Sequence, residues 1–278
     1  MVLKSVVKLG FGILLAALLL LYPLSHEITP SDLQLAVPHL FYIKQFETEY
    51  LYIIHHIIVF IPVFIFAGIL DVFAYQYHFI KDWLLSVITA AFCFIIWDYA
   101  FTEVGIWGFN PKYVSGFSIG GFPIEEIIWF LVVPYASLYI FHLVDRFGSN
   151  LREKRSSNLL IVVVIVVLTL FYFKFDDKLY SCFTSGVGIA LCCLAMIRKT
   201  SKHEVLIVSF PIIIIPMILV DGLLTGMFTS QPLVAYNPQE FSQIRLISIP
   251  VEDFIFGWDY LLSIILIKDI VSNSKSEH

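Results

Sequence analysis

The chain contains 278 residues, of which 59% are hydrophobic and 14% charged, and its mean hydropathy is +0.88. An ordinary soluble domain is roughly 45–50% apolar and about 25% charged, and here the apolar excess is gathered in runs that a soluble core could not cover. A soluble enzyme is therefore excluded. The net charge of −5, without a block of like charges, also argues against nucleic-acid binding.

Uncharged runs near the length that crosses about 30 Å of hydrocarbon predict a polytopic, all-α membrane bundle of about eight transmembrane helices. The predicted spans are, in chain order, 6–23, 51–72, 82–101, 123–144, 158–174, 179–197, 204–224 and 251–268. The first run is also compatible with a secretory signal peptide. However, Tyr22-Pro23-Leu24-Ser25 offers no small-x-small cleavage site, which favours an uncleaved anchor.

The basic residues predict the orientation of these spans. With the N-terminus inside, 12 of the 17 Lys and Arg residues fall in cytoplasmic segments and 5 fall outside. Because cytoplasmic loops carry an excess of Lys and Arg, this bias predicts a multi-pass protein of the cytoplasmic membrane with both termini inside. The four cysteines lie in apolar stretches without zinc-site or disulfide spacing, which predicts packing residues.

An internal repeat follows from two motifs that recur at a constant offset of 127 residues. Asn110-Pro111 and Pro123-Ile124-Glu125-Glu126 return as Asn237-Pro238 and Pro250-Val251-Glu252-Asp253. The copies have the same orientation, and parallel repeats tend to surround a shared central cavity. The predicted division is an anchor and outer polar segment (1–50), a first repeat (51–145), a cytoplasmic linker (146–157), a second repeat (158–268) and a tail (269–278).

Each acidic pair follows a proline that opens a predicted helix. Acidic residues are favoured in a first helical turn, so one interpretation is that they are ordinary helix-start residues at the water boundary. Apolar and aromatic residues flank both pairs, however, and ionisable groups close to hydrocarbon usually have a function. Consecutive helical residues are about 100° apart, so we expect one member of each pair to catalyse and the other to orient.

Asp98 and Asp221, displaced by four residues from exact repeat positions, fall at the same outer level of the membrane as the two acidic pairs. Partial burial and like-charge proximity let one carboxyl group hold a proton while another accepts one. The predicted catalytic residues are therefore Glu125, Glu126, Glu252 and Asp253, and the predicted supporting residues are Asp98, Asn110, Asp221 and Asn237.

Aromatic rings near these acids offer faces that stabilise a transient cation. Each ring also fits an ordinary interfacial belt. The candidate substrate-binding residues are Trp97, Trp129, Phe130, Phe254 and Phe256. The chain contains neither a dinucleotide-binding motif, nor a P-loop, nor a H-E-x-x-H motif, so we expect no metal and no flavin or nucleotide cofactor.

Long stretches resemble the c/d-type lycopene cyclases, whose two halves are heterodimeric or fused. In the first half these are Trp97-Asp98, Phe101-Thr102, Gly105-Ile106-Trp107-Gly108-Phe109-Asn110-Pro111-Lys112-Tyr113, Gly116 and the first acidic motif. In the second half they are Asp221-Gly222-Leu223-Leu224-Thr225-Gly226, Pro232, Tyr236-Asn237, Ile244-Arg245 and the motif that begins at Ile249. The resemblance covers roughly residues 50–268.

This resemblance implies a flavin-independent, non-redox cyclisation of the linear ends of lycopene into β-ionone rings. An acid protonates the terminal double bond, an internal double bond attacks the resulting cation, and a base removes a ring proton. The implied class is an intramolecular lyase or isomerase. Its partners are a lipid-soluble carotenoid and membrane lipid, without nucleic acid and with unspecified oligomeric state.

Three other functions share some of these features. A carotenoid hydratase would use the same protonation and let water capture the cation. A proton-coupled transporter would use the acids as a relay, although a relay needs acids distributed in depth rather than at one level. A catalytically inactive membrane-assembly partner would need no acid chemistry.

Overall fold

Seven helices make up most of the described chain. The computed structural model describes residues 33–147, 154–198, 200 and 202–276. The helices are α1 (Leu51–His78), α2 (Leu84–Glu103), α3 (Ile124–Phe147), α4 (Lys154–Lys174), α5 (Leu179–Arg198), α6 (His203–Leu224) and α7 (Val251–Ser276). A helix satisfies its backbone hydrogen bonds within its own segment, which hydrocarbon requires.

The predicted all-α membrane class is confirmed, with seven helices in the part of the chain that the structure describes. The seven described helices overlap the last seven predicted spans, and the predicted span 6–23 lies outside the described residues. Five described segments are long and apolar enough to cross a membrane: Leu51–Gly68, Tyr75–Glu103, Ile124–Phe147, Leu179–Arg198 and His203–Leu224. In α4 the apolar run, Leu159–Lys174, is shorter, and α7 is interrupted by charged residues.

The chain between α1 and α2 remains helical. A π-helical turn, Phe79–Trp83, replaces the loop that hydropathy predicts after residue 72. The side chains of Tyr52 in α1 and Asp98 in α2 both contact Glu126. The beginning of α1 and the end of α2 therefore lie at the same end of the bundle.

Six short strands form three antiparallel pairs in the connections. They are β1 (Trp107–Phe109) with β4 (Val234–Tyr236), β2 (Ser118–Ile119) with β3 (Phe122–Pro123), and β5 (Arg245–Leu246) with β6 (Ile249–Pro250). The β2–β3 and β5–β6 hairpins are separated by the repeat offset of 127 residues, and each leads directly into an acid-bearing helix, α3 or α7.

The β1–β4 pair lies where the two repeats meet. Gly108 is opposite Ala235 in this pair, and these two residues are themselves repeat-related. Two matching backbone hydrogen bonds flank the pair: Asn110 N–H donates to Leu233 O, and Asn237 N–H donates to Ile106 O, both at 2.8 Å. An approximate two-fold axis therefore passes between Gly108 and Ala235.

One connection breaks this symmetry. Residues 104–106 join α2 to β1, whereas the longer segment 225–233 joins α6 to β4. The added length explains why Asp221 is displaced by four residues from the position equivalent to Asp98. The longer connection also binds the segment before α1, because Leu40 N–H and Ile43 N–H each donate to its carbonyl groups at 2.9 Å.

Candidate active site

Two repeat-related helix starts carry the predicted catalytic residues. Pro123 and Pro250 end short strands, and α3 and α7 begin at the next residue. All four acids in these first turns are buried, with at most 7% of each side chain exposed. Unpaired N–H groups at a helix start favour negative charge, which explains how the fold tolerates buried acids there.

The two members of each pair point in different directions. Glu125 accepts a hydrogen bond from Ser115 N–H at 2.9 Å, and Glu252 accepts one from Ser242 N–H at 2.7 Å. These interactions are exact repeat equivalents, and they hold the loops that precede α3 and α7. Glu126 and Asp253 instead face a cavity between the repeats.

This central cavity has a volume of about 70 Å³ and brings together four carboxyl groups, two from each repeat. Asp98 lies beside Glu126, and Asp221 lies beside Asp253. Four of the eight predicted catalytic and supporting residues therefore meet in one place. The other lining residues are Tyr52, Trp107, Phe109, Trp129, Tyr180, Met217, Leu224, Val234, Tyr236 and Phe256.

Phenol and indole groups donate hydrogen bonds to these carboxyl groups. Tyr52 donates to Glu126, and the Trp107 indole N–H donates to Asp98 at 2.6 Å. Asp253 accepts two hydrogen bonds, from Tyr180 at 2.6 Å and from Tyr236 at 2.8 Å. Because hydrogen bonds to a carboxylate favour its charged form, two phenol donors suit Asp253 to the role of a base.

The guanidinium group of Arg245 lies beside the second acid pair, Glu252 and Asp253. Burial lowers the pKa of Arg245, whereas its interactions with Tyr236, Asp253, Glu252 and Asp221 raise it. Arginine keeps its charge in proteins. The repeat-equivalent position is Ser118, which carries no charge. Burial, followed by the charges of Asp253 and Asp221, raises the pKa of Tyr236 well above its ordinary value, so its hydroxyl group stays a donor.

The five predicted substrate-binding rings separate into two pairs and one ring that lies apart. Trp129 and Phe256 line the cavity, where their faces are available to a cation. Trp97 and Phe130 lie behind them, packed against Phe256 with ring centroids 4.8 and 6.4 Å away. Phe254 is half-buried and lies outside the cavity lining.

The predicted supporting residues Asn110 and Asn237 shape loops rather than the cavity. Each side-chain carbonyl accepts a hydrogen bond from the backbone N–H two residues later, Lys112 at 3.1 Å and Gln239 at 3.0 Å. Among the described residues, no group of three or more His, Cys, Asp or Glu side chains is arranged to hold a metal ion.

A second, larger cavity of about 300 Å³ adjoins the acidic one. It lies between α1, α3, α6 and α7, and its lining is almost entirely apolar. Trp129, Met217 and Asp221 line both cavities. The acidic cavity therefore adjoins an apolar groove.

The predicted site residues did not include the tyrosines that bind the carboxyl groups. Tyr52 and Tyr180 are the second residues of α1 and α5, at repeat-equivalent contacts separated by 128 residues. Aligning these two helix starts would have matched the tyrosines. Tyr236 has no such signal, because its repeat equivalent is Phe109.

A comparison of the sequence with protein-family models shows which family this chain belongs to. The lycopene cyclase family model matches residues 74–144 and 177–271, which together exceed half of the chain. The chain belongs to the lycopene cyclase family. Both matched segments contain one acid-bearing helix start, and the family broadly assigns a carotenoid cyclase function in a membrane. Comparisons with curated proteins and with solved structures gave no match.

Proposed function

We propose that this protein converts the linear ends of lycopene into β-ionone rings by acid/base catalysis, without net oxidation or reduction. One observation supports this most strongly: carboxyl groups from both repeats surround one cavity that is lined by aromatic rings and adjoins an apolar groove. Such a site offers a proton donor, a proton acceptor and aromatic faces for the cation between them.

In the proposed reaction, Glu126 donates the first proton. Asp98 and Glu126 are buried side by side, and two adjacent carboxyl groups repel each other when both are charged, which favours a proton on one of them. Transfer of this proton to the terminal double bond leaves a cation on the adjacent carbon. The internal double bond attacks this carbon, which closes the ring and moves the cation into it.

Asp253 then removes a proton from the ring and restores a double bond. Burial opposes ionisation of Asp253, and its two phenol donors and the nearby charge of Arg245 act against burial, towards the carboxylate form that this step needs. One proton enters and one leaves, so the product is an isomer of the substrate. Trp129 and Phe256 face the cation during ring closure.

Glu125 and Glu252 have a different proposed role. Because each accepts a hydrogen bond from a backbone N–H of the preceding loop, they hold the helix starts in place. They act through Glu126 and Asp253 rather than on the substrate. This pair of contacts also provides matched controls for a test of the reaction.

The first prediction concerns the two members of each acidic pair. In a lycopene-accumulating bacterium, Glu126→Gln and Asp253→Asn should each lower ring formation by about 10²–10⁴-fold, the usual contribution of a general acid or base. Glu125→Gln and Glu252→Gln keep an accepting oxygen and should retain most activity. Chromatography of the pigments measures the products, and immunoblotting of membranes checks protein accumulation.

The same experiment separates the alternative functions. In deuterated water, cyclisation should add one solvent deuterium to each new ring, at the carbon that is first protonated. An open-chain product with a hydroxyl group would indicate a hydratase, and unchanged lycopene would exclude a carotenoid enzyme. Full activity of both Glu126→Gln and Asp253→Asn would contradict the assigned acid and base.

A further inference from the structure

Among the described residues, the position equivalent to the apolar groove between α1, α3, α6 and α7 is occupied by packed aromatic side chains in the other half of the molecule. We propose that the groove is the entrance and binding site for one linear hydrocarbon end of the carotenoid, and that the repeat-related position is closed. This inference rests on the proposed function for the identity of its occupant.

The groove leads from the lipid-facing surface to the acids. At its mouth Ile58 is 43% and Leu219 60% exposed, whereas at its floor Val59 is 7% and Ile213 4% exposed. Its inner end is formed by the residues shared with the acidic cavity, including Asp221. A substrate dissolved in hydrocarbon therefore reaches the carboxyl groups without passing through water.

Three prolines within helices line this groove: Pro62 in α1, Pro134 in α3 and Pro216 in α6. A proline inside a helix removes a backbone hydrogen bond and bends the helix, which opposes close packing with its neighbours. The repeat equivalents, aligned on the contacts of the acids and tyrosines, are Ala190, Leu261 and Cys93. The closed side therefore lacks all three prolines.

Aromatic side chains fill the equivalent position in the other half. Met217 and Val220 of the groove correspond to Phe94 and Trp97. The Phe94 and Trp97 rings contact each other at 5.2 Å between centroids, and the Trp97 ring contacts that of Phe183 at 4.5 Å. Both Phe94 and Trp97 also contact the Phe256 ring.

Gly257 is the clearest difference between the two sides. It lines the groove, whereas its repeat equivalent, Phe130, contributes a fully buried ring to the filled side. A Cβ atom at Gly257 would approach Met217 Cε to 3.3 Å. The absence of a side chain therefore helps to keep the groove open, and the first repeat supplies the residue that would close it.

The lining also indicates the chemistry of the occupant. The Tyr260 hydroxyl group already donates to Phe130 O at 2.6 Å, and Ser137 and Asp221 supply most of the remaining side-chain polarity. A hydroxylated end would lose its water without gaining enough partners, which is costly. At about 300 Å³ the groove is at the lower limit for pockets that hold drug-sized ligands. It suits one unsubstituted hydrocarbon end, with the rest of the polyene left in lipid.

The test is a size series at Gly257. Gly257→Ala, Gly257→Val and Gly257→Phe should lower ring formation progressively, with Phe about 10²-fold below wild type, the order of loss expected when a reacting group is misplaced. Gly68→Phe is the matched control, because a Cβ atom at Gly68 has nothing within 4 Å. Lycopene that co-purifies with each detergent-solubilised variant gives a second readout, and size-exclusion chromatography with thermal unfolding checks folding.

The two readouts distinguish the groove from the cyclase function. Folded Gly257→Phe that loses both bound lycopene and ring formation, beside an active Gly68→Phe, would support the proposal. A second outcome is that the wild-type protein binds lycopene without cyclising it and that Gly257→Phe loses this binding. That outcome would support the groove as the binding site and overturn the proposed function. If folded Gly257→Phe binds and cyclises lycopene as well as the wild type does, the groove is not the binding site and the proposal is overturned. If Gly257→Phe fails to fold, the test relies on folded Gly257→Val. Loss of bound lycopene and of ring formation in Gly257→Val would support the proposal, and no loss would overturn it.

Discussion

Arg245 carries the main electrostatic difference between the two acid pairs. Its guanidinium group packs over the rings of Phe241 and Tyr236, 4.7 and 5.6 Å from their centroids. It also donates hydrogen bonds to Ser248 O and to the Gln34 side chain. These contacts hold a positive charge at one side of an otherwise pseudo-symmetric cavity.

We expect Arg245→Met to change the pH dependence of cyclisation. The positive charge favours the ionised form of the proposed base, Asp253, so its removal lets that carboxyl group keep its proton at higher pH. The acidic limb of the pH–rate profile should therefore move up by about 1 unit. Assays of isolated membranes across pH measure this shift.

Two variants provide the comparison for this prediction. Arg245→Lys keeps a positive charge and should leave the acidic limb close to that of wild type. Lys112→Met removes a cation that pairs with Glu47 outside the cavity, and should not move the limb. An unshifted limb in Arg245→Met would mean that Arg245 serves the loop alone.

At the scale of residues, the sequence indicated which acids lie together, but not which tyrosine and tryptophan side chains surround them. Repetition identified the acidic pairs, and helical geometry implied that the two members of a pair diverge. The hydrogen bonds of Tyr236 depend on the pairing of β1 with β4, and strands of three residues are too short to show a hydrophobic period. Trp129 lines the cavity whereas Trp97 packs behind it, and this difference likewise depends on how the helices face one another.

At the scale of elements, the Glu47 carboxylate joins the segment before α1 to residues of both repeats. Glu47 pairs with Lys112 and accepts hydrogen bonds from Tyr113, Ser230 N–H and the Ser230 hydroxyl group. Burial alone would raise the pKa of Glu47, but these interactions together lower it to about 2. The carboxylate therefore links the start of α1 to the long connection between α6 and β4.

This pKa predicts the pH dependence of one part of the stability. A lowered pKa in the folded state means that the contribution is complete above the ordinary value of 4.5 and is lost as the pH falls towards about 2. Glu47→Gln should therefore lower the free energy of unfolding by about 1–3 kcal/mol near neutral pH. The difference from wild type should shrink in acid.

Thermal unfolding in detergent, followed across pH, measures this effect. Glu49→Gln is the control, because Glu49 is an exposed acid two residues away and should change little. A Glu47→Gln destabilisation that stays constant down to the acid limit would contradict the assigned cause, since it would then not depend on ionisation.

Helix positions were largely predictable from hydropathy, but helix ends were not. α5 and α6 begin and end within one residue of their predicted spans, because charged residues mark both ends of α5 and the start of α6, and a Thr-Gly sequence follows α6. α1 continues six residues past its predicted end at residue 72, and α7 eight past residue 268. Backbone hydrogen bonding continues there through polar residues, which hydropathy alone treats as a boundary.

At the scale of the whole molecule, the repeat predicted a shared cavity but could not predict its asymmetry. An offset of 127 residues relates the acid pairs, the hairpins and the loops around Asn110 and Asn237. The open groove results from differences within the repeat, such as Gly257 against Phe130, whose effect depends on three-dimensional packing. The orientation with both termini inside stays a prediction that rests on the Lys and Arg bias.

Within the described residues, the filled position opposite the proposed entrance has a consequence for the order of events on a substrate with two identical ends. An entrance on one side of the acidic cavity admits one end at a time, so in the proposed mechanism the molecule leaves and turns round in the bilayer before its second end reacts. Cyclisation should then be distributive: early in a time course, the one-ringed intermediate should accumulate free in the lipid phase ahead of the two-ringed product. A short incubation with excess lycopene, followed by chromatography, measures this order, and direct appearance of two-ringed product without that intermediate would require a second entrance.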